Sequence, residues 1–105
     1  MRIFNYTTLR DFWGIHPDAK EALTHWYDVA EQATWKNSME VKLTFRTADI
    51  LSSDRVAFNI KGNAYRLIAS LNYQYQALFV KFVGTHGEYG RVDALTVDAY
   101  GGGAK

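Results

Sequence analysis

From Arg55 to Val83 the chain reads as three β-strands joined by two short turns, and this run limits the fold more than any other feature. Val56-Ala57-Phe58-Asn59-Ile60 is a strand rich in branched and aromatic residues, and Gly62-Asn63 is a two-residue hairpin signal. Tyr65–Leu71 is the next strand, Asn72–Tyr75 a loop, and Gln76–Val83 a third strand ended by Gly84. With Gly62-Asn63 as the turn, Lys61 faces Ala64, Asn59 faces Arg66 and Ala57 faces Ile68. Residues directly opposite point to the same side of a sheet. One side then gathers Val56, Phe58, Ile60, Tyr65, Leu67 and Ala69, and the other holds Asn59, Lys61 and Arg66. The second turn puts Leu71 opposite Gln76, Arg66 opposite Lys81, and Tyr65 opposite Phe82 on the apolar side. The polar side is expected to be open and to collect three cations beside an asparagine, with no carboxylate among them. Like charges placed opposite one another destabilise a sheet, so the pattern suits a face that binds an anion.

The apolar side needs a cover, and the N-terminal half supplies amphipathic helices. Arg2–Tyr6 reads as a short strand. Thr7 or Thr8 is the expected cap of a first helix carrying Leu9, Phe12 and Trp13, closed by Gly14 and Pro17. A second helix starts near Asp18, where Asp18-Ala19-Lys20-Glu21 has capping-box spacing. Ala19, Ala22, Leu23, Trp26, Val29, Ala30 and Ala33 then recur at helical intervals. Residues 36–54 are ambiguous: Met39, Val41, Leu43 and Phe45 alternate as in a strand, whereas Ser38 looks like a helix cap. A last short helix is expected over Glu88–Leu95. Residues 1–97 make one domain on this reading, and 98–105, with Gly101-Gly102-Gly103, a flexible tail.

Cationic charge is concentrated on the strands. Residues 55–91 carry Arg55, Lys61, Arg66, Lys81 and Arg91 against Glu88 alone, whereas residues 1–54 carry six basic and eight acidic side chains. A local basic patch attracts phosphate even where the chain's net charge is only +1. There is no cysteine, which excludes disulfides and thiolate metal sites. No histidine pair has metal-ligand spacing, and neither a Gly-rich phosphate loop nor a nucleophile elbow is present. No apolar run approaches the ~20 residues of a membrane helix, and the first residues lack a signal-peptide core, so a cytoplasmic location is expected. His16 and His25 read as surface or satisfied residues. His86 differs, because it leaves the third strand beside the basic side, with Glu88 and Tyr89 as further proton-transfer residue types.

Five stretches stand out: His16-Pro17-Asp18-Ala19, Ala48-Asp49-Ile50-Leu51, Phe58-Asn59-Ile60-Lys61-Gly62-Asn63, Tyr65-Arg66-Leu67, and Phe82-Val83-Gly84-Thr85-His86 with Glu88-Tyr89. Together they resemble the HigB toxin family, which is similar to the wider RelE-like superfamily. Their order and spacing fit over roughly residues 3–97. The resemblance implies an α+β fold, a compact antiparallel sheet with the helices on one face, and makes Ser38–Phe45 helical. It also implies the toxin of a toxin–antitoxin pair: a metal-independent endoribonuclease that cuts mRNA, commonly on the ribosome, without a cofactor. A HigA-type helix-turn-helix antitoxin would neutralise it. A non-catalytic RNA- or protein-binding module on the same scaffold is the alternative.

Carried onto this chain, the resemblance matches Arg66 to the superfamily's strand arginine and His86 to a position held by histidine or arginine. Lys61 and Lys81 match basic positions. Two departures stand out: Ala64 where a basic residue is expected, and Gly90 where an aspartate usually follows. RNA cleavage through the substrate's own 2′-hydroxyl needs a base, an acid, and cations on the phosphate. Arg66 is expected to bind the phosphate as a fork, with Lys61 catalytic beside it and Asn59, Lys81 and Arg91 binding RNA. His86 is the expected acid or base and Glu88 a spare base. Tyr89, Tyr73 and Tyr75 could stack on bases.

Overall fold

The computed structural model describes residues 1–98. Its elements are β1 (Arg2–Phe4), α1 (Tyr6–Ile15), a 3₁₀ turn at Pro17–Ala19, α2 (Lys20–Gln32), α3 (Ser38–Thr44), β2 (Asp49–Ile50), β3 (Arg55–Ile60), β4 (Tyr65–Asn72), β5 (Ala77–Thr85) and α4 (His86–Tyr89). Apart from Asp98, the expected tail at 98–105 lies outside the described residues. The five strands form one sheet in the order β1-β5-β4-β3-β2. The expected antiparallel pairing runs from β2 to β5, and β1 joins β5 in parallel. Among the described residues no helix is long and apolar enough to cross a membrane.

The first hairpin has the expected register, with Asn59 opposite Arg66 and Ala57 opposite Ile68. Its turn is longer than two residues. The ladder closes at Ile60 and Tyr65, and Ala64 N donates to Lys61 O over 3.1 Å. Lys61 and Gly62 both take left-handed backbone angles (φ 54° and 65°), which lifts Lys61 out of the ladder.

The second hairpin is shifted from the expected register. Leu71 faces Leu78, so the turn is 73–76. Gln76 takes a left-handed angle, and its Nε2 donates to Tyr73 O (2.8 Å) and Trp35 O (2.7 Å), which holds it off the strand. Further along, Ile68 faces Phe82 while Ala69 faces Val80, so Lys81 is the extra residue of a β-bulge. Arg66 therefore faces Gly84 rather than Lys81, and Tyr65 faces Thr85 rather than Phe82. The bulge turns Phe82 onto the side of Ile68 and Ala57, away from the main core.

The main core lies on the other side. Val56, Phe58, Ile60, Tyr65, Leu67 and Ala69 pack there with Leu9, Leu23, Trp26 and Ala30 from α1 and α2. Trp26 meets Phe58 edge to face at 5.4 Å, and both are fully buried. Burying a large apolar side chain contributes roughly 1.5–3 kcal/mol, so this face fixes the helices on the sheet.

The helix starts differ from the expected caps. Neither Thr7 nor Thr8 caps α1, since Tyr6 already lies in the helix. The chain turns at Asn5 (φ 72°), whose Nδ2 donates to Val80 O, while Thr8 is buried. Asp18 makes no cap, because its carboxylate accepts from Lys61 Nζ (2.8 Å) and Tyr65 Oη (2.5 Å). The helical reading of Ser38–Phe45 holds to Thr44, with Asn37 rather than Ser38 as the cap: Asn37 Oδ1 accepts from Glu40 N at 3.0 Å. Val41 is buried while Met39 and Leu43 are exposed, so the strand-like alternation does not set the burial.

The second sheet face is not open. Tyr89, Val92, Ala94 and Val97 cover Ala57, Ile68 and Phe82. Arg55 Nη1 pins this segment by donating to Ala94 O (3.1 Å) and Val97 O (2.8 Å). The expected helix over Glu88–Leu95 is a single turn, His86–Tyr89, because a Thr85–Glu88 capping box starts it early and Gly90 ends it.

Candidate active site

Asp49 on β2, Asn59 on β3 and Arg66 on β4 share one sheet face: Asn59 lies directly opposite Arg66, and Asp49 lies opposite Ala57, two residues along β3 from Asn59. Arg66 is 7% exposed, the only charged side chain buried among the described residues. A buried guanidinium needs partners. Nη1 donates to Asn59 Oδ1 at 2.5 Å and Nη2 to Asp49 Oδ2 at 2.6 Å. Nε is buried with no partner among the described residues. The Tyr89 ring lies 4.5 Å from the guanidinium carbon, a cation–π contact. Burial works against the charge of Arg66, but the Asp49 carboxylate and Tyr89 outweigh it and raise its pKa further.

Gly84 lets Tyr89 reach this place. A Cβ on Gly84 would meet Phe82 Cζ at 2.5 Å and Glu88 Oε1 at 2.9 Å. Without one, β5 ends close under α4, and the capping box locks the turn: Glu88 N donates to Thr85 Oγ1 (3.1 Å) and Thr85 N to Glu88 Oε1 (2.8 Å). His86 is the first residue of α4, exposed, its ring 6.4 Å from that of Tyr89.

Arg66, Asn59, Tyr89 and His86 are therefore brought together, and the other expected residues are not. Lys61 turns away to Asp18. Lys81 sits at the bulge, 3.4 Å from Asp98 and 5.7 Å from the Phe79 ring. The expectation that no carboxylate accompanies the three cations is overturned, since each has an aspartate: Asp18, Asp49 or Asp98. Glu88, the expected spare base, has one carboxylate oxygen committed to Thr85. Arg91 is exposed just beyond α4. Tyr73 and Tyr75 lie in the β4–β5 turn, at the other end of β4 from Arg66. Six residues of strand separate that end from Arg66, ~20 Å at the usual rise. Tyr73 packs against the main core, its hydroxyl pKa raised by burial and by Asp54. Tyr75 is exposed.

Sequence reasoning missed Asp49 as a partner of Arg66. Its only trace was the Ala48-Asp49-Ile50-Leu51 stretch, because a two-residue edge strand carries too little periodicity to be recognised. Among the described residues no three His, Asp or Glu side chains are grouped to hold a metal ion. Chemically, the site offers a buried fork of donors, an exposed imidazole and an aromatic phenol between them. A family model described as HigB_toxin, RelE-like toxic component of a toxin–antitoxin system, matches residues 19–92, which include every residue of this site. No curated protein matches the chain.

Proposed function

The chain belongs to the HigB toxin family, the RelE-like toxic component of a toxin–antitoxin system, and from that premise we propose that it is a metal-independent endoribonuclease that cuts mRNA in the cytoplasm, on the ribosome. One observation carries the reading: a buried guanidinium fork at the end of the sheet, with Tyr89 over it and the exposed His86 alongside. Such a fork matches a phosphate. The scissile phosphate replaces Asp49 on Arg66, and Asn59 keeps the guanidinium oriented.

A base removes the 2′-hydroxyl proton, the freed oxygen attacks the adjacent phosphorus, and the 5′-oxygen leaves with a proton from an acid. The products are a 2′,3′-cyclic phosphate and a 5′-hydroxyl. We assign the proton transfers to His86 and Tyr89, and Glu88 to holding α4. Arg66 stabilises the added charge on phosphorus, in the manner of other fixed cationic donors. Lys61, Lys81 and Arg91 serve the RNA chain on either side, and a HigA-type antitoxin is the partner that neutralises the toxin.

The test is to incubate the purified protein with mRNA, with and without translating ribosomes, in the presence of a chelator. Cutting by the intact protein and none by Arg66→Ala is the expected result. A non-catalytic binding module is the second reading. It is favoured by the engagement of both terminal nitrogens of Arg66 within the chain, and it forecasts ribosome or RNA binding without a cut.

A further inference from the structure

We propose that a cleft between α1 and α4, at the end of β5, receives the nucleobase next to the scissile phosphate and so determines which bases are tolerated at the cut. The inference rests on the ribonuclease reading. The cleft has a volume of about 490 Å³, within the roughly 300–1,000 Å³ of small-ligand sites. Its walls are flat and apolar. Phe12 and Phe82 are both buried, and the His16 ring stacks on Phe12 with centroids 4.6 Å apart and planes 29° off parallel. Ile15, 77% exposed, forms the rim.

Polar groups stand on the α4 side. Arg91 presents donors only, and among the described residues its side chain has no ion-pair partner. Glu88 uses Oε1 on Thr85 N, and its second oxygen is left as an acceptor. A planar ligand with donors and acceptors along one edge fits aromatic walls of this kind with a neighbouring Arg and Glu. An unstacked RNA base has that form.

Position argues for the base beside the cut. Glu88 faces the cleft, and its neighbour Tyr89 covers Arg66. Phe82, a wall of the cleft, pairs with Ile68, two residues from Arg66 on β4. The Arg66 guanidinium points from β4 toward Asn59 and Asp49, and the Tyr89 ring covers it from the α4 side, so a nucleotide with its phosphate on Arg66 reaches the cleft across Tyr89.

The test maps cut positions across transcripts for the intact toxin, Ile15→Trp, which fills the rim, and Arg91→Ala. The intact toxin is expected to favour one base beside the cut by about tenfold or more, the size of discrimination by hydrogen bonds to a base edge, and both variants to flatten that bias. A bias unchanged in both variants, or no bias in the intact toxin, overturns the proposal while leaving the ribonuclease reading in place. A second arm needs no cleavage: nucleoside monophosphates are titrated while backbone amide shifts are followed by NMR. Shifts clustered at Phe82, His16 and Arg91 support the cleft even if the protein cuts nothing, and their absence overturns it.

Discussion

The Asp49 carboxylate lies 2.6 Å from Arg66 Nη2, so the residue best placed to hold a phosphate already holds an anion. The two ends of the pair differ in environment. The Arg66 side chain is 9% exposed and that of Asp49 57%, so Asp49 can swing into water while Arg66 stays fixed. The charge of Asp49 should therefore compete with RNA. Asp49→Asn is expected to tighten binding to mRNA on the ribosome, or to single-stranded RNA. It should also steepen the dependence of log K on log salt, because an anion beside the bound phosphate has been removed. Weaker binding in Asp49→Asn would mean that Asp49 orients the fork and does not compete for it.

Arg66→Ala should abolish growth arrest on expression while antitoxin binding persists. Arg66→Lys should recover little, because a lysine keeps the charge but cannot reach Asn59 and a phosphate with a planar fork. Growth curves at matched expression, with antitoxin co-purification as the folding control, decide this. Full toxicity in Arg66→Ala would remove the residue from the mechanism.

Gly84→Ala is a structural counterpart. The new Cβ would press on Phe82 and Glu88, so the capping box opens or Phe82 shifts. Overpacking of this kind costs about 1–3 kcal/mol, and α4 should carry Tyr89 away from Arg66. Lower thermal stability together with faster hydrogen exchange at Glu88 N is the expected pair of observations. Unchanged exchange would show that α4 does not depend on this glycine.

The pairing of Asn59 with Arg66 was legible in the sequence because it is local: a glycine-containing turn and alternating burial fix the parity of the hairpin. The core side was legible for the same reason. The second hairpin was misread because Gln76 resembles a strand residue, and only its bonds to Trp35 O and Tyr73 O, one of them 41 positions away, take it off the ladder. The aspartates facing Lys61, Arg66 and Lys81 lie 43, 17 and 17 residues away, and no local pattern announces them. Val92, Ala94 and Val97 have no helical or strand period, so their packing over the polar face was invisible as well.

Asp18 joins the 3₁₀ turn to the hairpin, and its pH dependence can be signed. The hydrogen bond from Lys61, then that from Tyr65, lowers its pKa from the ordinary 3.8. A lowered carboxylate pKa stabilises the fold above the unfolded value and loses that stabilisation as pH falls through the folded one. The intact protein should therefore exceed Asp18→Asn in denaturant midpoint at neutral pH, and the two curves should converge in acid. A gap of constant size from neutral pH into acid would show that the carboxylate's charge contributes nothing there.

His86 and Tyr89 separate binding from chemistry. His86 is exposed, so His86→Gln should leave the fold and RNA affinity intact and lower the single-turnover rate by ~10²–10⁴, the usual contribution of a general acid or base. Tyr89→Phe keeps the ring over Arg66 and removes only the hydroxyl. If the phenol transfers a proton, this variant loses rate at unchanged affinity and one limb of the pH–rate profile disappears. If Tyr89 serves only to cover the guanidinium, Tyr89→Phe stays active and Tyr89→Ala alone fails, through weaker binding. Cleavage rate and affinity measured together across pH distinguish these outcomes. A rate for His86→Gln equal to that of the intact toxin would leave the proton transfers to Tyr89 and the RNA itself.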